Sequence, residues 1–338
     1  MPGAPLLSVR DLRVHFPMPT GLLMPPSLVK AVDGVSFDLH PGETLGIVGE
    51  SGCGKSTLGR AVLQLIPPTS GQVVWRGQDL VGRTRRDLQA LRREMQIIFQ
   101  DPLAALDPRM TVGAIIAEPL DTFEPGLPKE VRQARVAETM VRVGLQPAQI
   151  NQYPHEFSGG QCQRIGIARA MILKPKLIVC DEPVSALDVS IQAQIVNLLR
   201  KLQREENLAL IFISHNLSVV RLISNRVMVL YLGKVAELAD RDEIYRNPRH
   251  PYTQALLSAV PVPDPDVERA KKRIPLSGEL PSPINPPSGC VFRTRCPIAI
   301  ADCAETPPVL EPVTPAHIVS CHRWTESIRL LEPSVPAA

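Results

Sequence analysis

Gly49-Glu50-Ser51-Gly52-Cys53-Gly54-Lys55-Ser56-Thr57 decides how this chain folds. The stretch has the form G-x-x-x-x-G-K-[ST], a phosphate-binding loop. Its surroundings agree: Thr44 to Val48 reads as a buried strand, and Thr57 to Leu65 as a helix. Gly49, Gly52 and Gly54 allow a tight turn that brings backbone N–H groups against phosphate oxygens. Ser51 and Cys53 sit between them and belong to the same nucleotide-binding segment. The helix that follows points its positive end at the phosphates. Lys55 supplies a point charge for the β- and γ-phosphates, Ser56 a hydroxyl for Mg²⁺, and Thr57 one for the α-phosphate.

Working outward, 338 residues suffice for one large domain with an appendage, or for two domains. A hydrophobic content of 44% supports a real core. The net charge of +3, from 37 basic and 34 acidic residues, is too balanced to argue for nucleic acid. The first residues lack a charged-then-apolar leader pattern, and no apolar run approaches the ~18 residues that span a bilayer. The chain reads as cytosolic, with any membrane link made through a partner. Seven cysteines, an odd number, do not suggest a disulfide framework. Four of them, Cys290, Cys296, Cys303 and Cys321, crowd into the tail, and 15 of the 35 prolines follow residue 260. The last quarter is therefore expected to be loop-rich.

Leu7 to Phe16 and Lys30 to Leu39 read as strands, and Pro17 to Leu28 as a loop insertion. Phe16 ends the first strand, where an aromatic could stack on adenine or could equally belong to the core. Val73 to Trp75 and Ile97 to Phe99 are further strands, the latter ending on Gln100. Helices are expected around Thr111 to Glu118 and Lys129 to Val143, then from Ser158 through Leu173. Leu177-Ile178-Val179-Cys180 is a continuous apolar run, as in a parallel strand covered on both faces, and it ends on Asp181-Glu182. A helix begins at Ser190, Leu208 to Ile213 is a buried strand, and His215 lies just past it. Arg226 to Leu232 and Lys234 to Ala239 form a hairpin about Gly233. Strands alternating with helices give an α/β fold with a mainly parallel sheet, and ligands in such sheets sit at the carboxyl ends of strands.

Asp181 downstream of a phosphate loop suits the Mg²⁺ shell, and Glu182 suits a group that orients or deprotonates the attacking water. Phe157-Ser158-Gly159-Gly160-Gln161 opens a helix. Ser158 alone would be an ordinary N-cap, but two adjacent glycines add nothing to a cap and instead allow close approach of an anion. With this string the chain resembles the ATP-binding subunits of ABC transporters. The resemblance implies the P-loop ABC ATPase fold, with a mainly parallel core sheet, an antiparallel β subdomain and a helical subdomain at about 101–173. It makes Ser185-Ala186-Leu187-Asp188 the D-loop, His215 the switch histidine and Gln100 the Q-loop glutamine. Phe16 becomes the adenine-stacking candidate. It implies two subunits paired head to tail, so that Ser158, Gly160, Gln161 and Asp188 meet ATP held by the other subunit. Mg²⁺ would be held by Ser56, Gln100 and Asp181. Cys162 departs from the family, which usually has Arg or Gln after the signature; its side chain is not one of the phosphate contacts.

Over nearly the whole chain the resemblance narrows to the ATPase subunits of oligopeptide and dipeptide importers, nearest the dipeptide permease ATPase. Asn247-Pro248-Arg249-His250-Pro251-Tyr252-Thr253-Gln254-Ala255-Leu256-Leu257, Leu276-Ser277-Gly278-Glu279-Leu280-Pro281-Ser282-Pro283 and Ala31-Val32-Asp33-Gly34-Val35-Ser36-Phe37 carry it. It implies a nucleotide-binding domain at 1–258 and an extension at 259–338. The implied partners are a sister ATPase in a heterodimer, two membrane permeases and an extracytoplasmic peptide-binding protein, with the chain peripheral on the cytoplasmic side of the inner membrane. Relatives with such a tail carry a 4Fe–4S cluster, which the resemblance places on Cys290, Cys296, Cys303 and Cys321. Zinc is the rival, although the C-x₂₋₄-C pairs of structural zinc sites are missing, and free thiols remain open. Nickel or another small solute is the alternative cargo. A soluble ABC ATPase acting on the ribosome or DNA would be expected to show two cassettes or long coiled coils, and neither is present. An iron–sulfur protein with a vestigial ATPase is disfavoured by the intact Lys55, Asp181 and Glu182.

Overall fold

The computed structural model describes residues 4–19, 27–271, 273–276 and 278–327. Among these, twelve strands form two sheets. In chain order they are β1 (Leu7–Met18), β2 (Ser27–Leu39), β3 (Thr44–Val48), β4 (Ser70–Trp75), β5 (Gln78–Asp79) and β6 (Met95–Ile98), then β7 (Leu177–Asp181), β8 (Ala209–Ile213), β9 (Arg226–Tyr231), β10 (Lys234–Asp240), β11 (Glu311–Thr314) and β12 (His317–Val319). The smaller sheet has the order β2-β1-β4-β5 and is antiparallel. The larger has the order β11-β12-β10-β9-β3-β8-β7-β6, parallel from β9 to β6 and antiparallel from β9 to β11.

The central strands are buried along their whole length, as their unbroken apolar runs require. Alternate side chains enter different cores. Ile178, Cys180, Leu210 and Phe212 join the one that continues into the helical region, and Leu177, Val179, Ile211 and Ile213 join the one under the antiparallel sheet. Helices α1 (Lys55–Val62), α2 (Arg85–Arg92), α3 (Val112–Phe123), α4 (Lys129–Arg142), α5 (Gly159–Met171) and α6 (Val189–Glu206) precede β8, and α7 (Leu217–Ile223) follows it. Ile165, Ala168 and Ile172 lie inside, the face anticipated from their spacing.

One expectation about a loop needs correction. Residues 17–28 do not form a loop throughout. β1 and β2 continue into them through the pairs Pro17–Leu28 and Met18–Ser27, because ladder bonds to a neighbouring strand override local composition. Pro17 is tolerated there because β4 pairs with β1 only as far as Arg13, leaving an edge. Residues 20–26 of that insertion lie outside the described residues, as does Ser277. The tail holds only short elements, as its proline content implies, and one of them extends the larger sheet. β12 adds to the free edge of β10, pairing Ala239 with His317 and Glu237 with Val319.

A buried histidine–carboxylate contact fixes that addition. His317 Nε2 meets Glu237 Oε1 at 2.7 Å, with the two side chains 1% and 0% exposed. The Glu237 carboxylate also accepts from the N–H groups of Arg249 at 2.6 Å and His250 at 3.0 Å. The expected result of His317→Ala is a loss of about 3 kcal/mol in chemical denaturation, since a buried carboxylate is left short of a partner. An unchanged midpoint would show that the tail does not depend on this pair.

His250, beside it, starts α9 (Pro251–Ala259), which follows α8 (Arg241–Arg246). Burial pushes its imidazole down to about 4. Unfolded, the same group titrates near ~6.5. Between these values the unfolded chain binds a proton that the folded chain refuses. The contribution is therefore complete above the unfolded value and declines as the pH falls toward 4. Urea midpoints should fall from pH 7 to pH 5, and by less in His250→Gln; equal slopes in the two proteins would contradict a neutral, buried His250.

Candidate functional site

Four neighbouring parallel strands, β6, β7, β8 and β3, deliver their carboxyl ends to one place. β3 leads into the phosphate loop, β7 ends on Asp181 and Glu182, β8 on Ser214 and His215, and β6 on Phe99 and Gln100. Together they border a cleft of about 530 Å³, lined by Ser51, Gly52, Gly54, Lys55, Ser56 and Thr57 from the loop, by Gln100, Glu182 and His215, and by Ala31 of β2. The loop's shape is forced at Gly54, which caps α1 at φ 102°. A Cβ there would come within 1.9 Å of the Ala31 carbonyl, so only glycine fits.

Lys55 is buried, and its Nζ donates to the carbonyls of Gly49 at 2.8 Å and Glu50 at 3.0 Å. The Ser56 hydroxyl donates to Asp181 Oδ1 at 2.5 Å, and Arg60 reaches Asp181 Oδ2 at 3.3 Å. Asp181 is itself only 1% exposed, so it acts on the cleft from behind Ser56. This juxtaposition of hydroxyl and carboxylate below a phosphate loop fits a hard divalent cation such as Mg²⁺. The Cys53 side chain turns into the core, and burial pushes its thiol up. Cys53 and Gly49 thus shape the loop without facing the cleft.

Glu182 is the focus on the opposite wall. Its Oε2 accepts from Gln100 Nε2 at 3.3 Å and lies 3.2 Å from His215 Nδ1. Its backbone is left-handed at φ 48°, an unfavourable state for a non-glycine residue, held by its N–H bond to the Ile213 carbonyl at 3.1 Å. Such strain is retained where a side chain must be aimed, and here it aims a carboxylate over the loop. Three residues chosen from separate stretches of sequence therefore meet at one oxygen.

The signature residues stand elsewhere. Ser158 caps α5, accepting from Gln161 N–H at 3.4 Å while Gln161 Oε1 accepts from Ser158 N–H at 2.9 Å. Gly160 packs against α6 so closely that a Cβ would meet Ile191 Cγ2 at 2.6 Å. Asp188 caps α6, and hydrogen bonds from the Ile191 N–H and the Ser190 hydroxyl hold its carboxyl below the usual range. Ser158, Gly160, Gln161 and Asp188 are not among the residues that line the cleft, and neither is the exposed Phe16. Cys162 is buried, with its thiol donating to the Pro154 carbonyl at 3.4 Å.

Comparison with known proteins agrees with this geometry. The ABC transporter family model matches residues 32–185. The chain is 62% identical to the oligopeptide transport ATP-binding protein OppF of Salmonella typhimurium, over 94% of this chain and 95% of that protein. It is 55% identical to the oligopeptide transport ATP-binding protein AppF of Bacillus subtilis, over 95% and 98%. The chain belongs to the ABC transporter ATP-binding family. Among solved structures, the ATP-binding cassette MJ0796 bound to ADP and Pi, a dimer, superposes with a TM-score of 0.63 at 27% identity, covering 70% of this chain and 98% of that one. As a member of the ABC family the chain is an ATPase, and ATP and Mg²⁺ are its ligands. Among the described residues, no helix is long and apolar enough to cross a membrane.

A second family model, the oligopeptide/dipeptide transporter C-terminal region, matches residues 236–303, which include three of the four tail cysteines. All four, Cys290, Cys296, Cys303 and Cys321, line one small cavity together with His322. Burial, reinforced by the neighbouring thiols, pushes Cys296 up to about 11 and Cys321 to about 12. Yet among the described residues no group of three or more His, Cys, Asp or Glu side chains stands close enough to hold a metal ion. The thiols share a cavity without closing to single-ion spacing, so the cluster anticipated from the resemblance has its donors gathered but no formed ligand set. The sequence reading also missed Arg295, which lies between two of these cysteines and reaches the phosphate loop. Only the contact itself could reveal it, since 245 residues separate the partners.

Proposed function

We propose that this chain drives import of oligopeptides across a cell membrane by binding and hydrolysing ATP at the cleft above the phosphate loop. The observation that carries the catalytic reading is the meeting of Gln100 and His215 on one oxygen of Glu182. ATP places its phosphates on the loop amides and on Lys55, while Ser56, Asp181 and Gln100 hold Mg²⁺. The cation, when bound, offsets charge on the transferring phosphoryl group. Glu182 accepts a proton from the attacking water and orients it. His215 donates to the γ-phosphate, and Gln100 senses the loaded state. Phe16 stacks on adenine.

The signature face completes the site in trans: Ser158, Gly160, Gln161 and Asp188 of one subunit close on ATP held by another. Support for this comes from their place at two helix starts outside the cleft lining, with Ser158 and Asp188 exposed and Gly160 and Gln161 half-buried. The other subunit is a sister ATPase of the same architecture. Residues 1–258 form the ATPase domain, with a helical part at about 101–173, and 259–338 form the extension. The chain sits peripherally on the cytoplasmic side of the inner membrane, on two permeases supplied by an extracytoplasmic binding protein. Support for peptide cargo comes from the identity to oligopeptide transport ATP-binding proteins over nearly the whole chain.

The reconstituted complex tests this. Its ATPase should rise with receptor loaded with oligopeptide; a rise with nickel-loaded receptor and none with peptide would reassign the cargo. We also propose that the four tail cysteines take up a 4Fe–4S cluster, the shared cavity being the supporting observation. Protein purified without oxygen should be brown and contain iron, and Cys296→Ser should lose both. Colourless protein carrying zinc would overturn the cluster.

A further inference from the structure

Glu50 is the second residue of the phosphate loop, yet its carboxylate does not line the cleft. It is turned toward the tail and gripped on both oxygens: Arg295 Nη1 donates to Oε2 at 2.6 Å, and Nη2 to Oε1 at 3.0 Å. The backbone of Glu50 is held as well. Its N–H donates to the Tyr252 hydroxyl at 2.8 Å, and its carbonyl accepts from Lys55 Nζ. One residue thus ties the tail to the lysine that meets phosphate.

Arg295 is itself rigidly placed. Its side chain is 7% exposed and lies over the Tyr231 ring, 5.9 Å from the centroid. Tyr231 packs edge-on against Tyr252 at 4.8 Å and Phe292 at 5.1 Å. The Arg295 backbone belongs to a single 3₁₀ turn, Arg293–Arg295, between Cys290 and Cys296. Cys290 N–H is bonded to the Cys303 carbonyl at 2.7 Å, so the turn is framed by the cysteine cavity. A guanidinium fork matched to a carboxylate fixes direction as well as distance, which a lysine would not do.

We infer that Arg295 is a positioning residue for ATP: through Glu50 it holds the phosphate loop and Lys55 in the binding geometry, making nucleotide affinity conditional on an ordered cysteine tail. The energetics select the variant. Removing Glu50 strands a buried guanidinium, whereas Arg295→Met keeps the stem's packing over Tyr231 and leaves a carboxylate, 27% exposed, that water can solvate. By reciprocity, ATP should in turn quieten the tail.

The experiment uses the full-length chain and a fluorescent ATP analogue. Arg295→Met should raise its Kd about five- to twentyfold and KM for ATP in parallel, with kcat changed less than threefold. Glu50→Gln should weaken binding in the same direction, and the double variant should be no worse than the weaker single. Hydrogen exchange at residues 290–296 should slow on ATP binding in the wild-type chain and not in Arg295→Met. If Arg295→Met does not fold, Arg295→Lys carries the same test, with an expected two- to fivefold rise. A Kd within twofold of wild type, additive single effects, or tail exchange indifferent to ATP would each overturn the inference. The inference rests on ATP seating on the loop. A wild-type chain that binds no analogue would remove that seating, whereas normal wild-type binding unmoved by Arg295→Met removes only the role of Arg295.

Discussion

Glu182→Gln should bind ATP as tightly as the wild-type chain and hydrolyse it about 10²- to 10⁴-fold more slowly in the assembled transporter. The amide keeps the volume of the carboxylate and one carbonyl oxygen at the junction with Gln100 and His215, but it cannot take a proton from water. Because its backbone is already left-handed and tethered to Ile213, the substituted side chain has no easier conformation to relax into. Turnover measured beside equilibrium nucleotide binding separates the outcomes. Lost binding would make Glu182 structural, and normal turnover would remove it from the chemistry.

Ser158→Asp should leave ATP affinity of the isolated chain within twofold of wild type and lower ATPase activity of the complex about 100-fold or more. Aspartate caps a helix as well as serine does, so α5 and its capping box should persist. In the proposed trans arrangement, what changes is the sign of the charge that the helix start presents to the triphosphate of the opposing subunit. Because Ser158 is absent from the cleft lining of its own chain, a matching fall in the isolated chain's affinity would mean the signature acts in cis. Equal activity in the complex would mean that it meets no phosphate at all.

Much of the architecture was legible because its signals are local. The buried strands at Thr44–Val48, Leu177–Asp181 and Ala209–Ile213 announce themselves as short apolar runs, and each leads within a few residues to one that lines the cleft. Lys55, Ser56, Asp181, Glu182 and His215 follow those strand ends, so their meeting is a consequence of parallel order once the fold is known. Element boundaries were less legible. β1 and β2 run past Phe16 and Lys30 because each strand supplies the other's hydrogen bonds, which composition does not encode.

The phosphate loop, the two-faced parallel sheet and the kinship to ABC ATPases could be read without coordinates, since glycine spacing and apolar period act over a few residues. It took the folded chain to reveal that Glu237 holds His317, that Gln100 and His215 share one oxygen of Glu182, and that Arg295 grips Glu50. The physical reason is the same in each case. A charged or polar side chain is indifferent to where its partner lies in sequence, and the pairing is fixed only when packing removes water and leaves a single partner within reach.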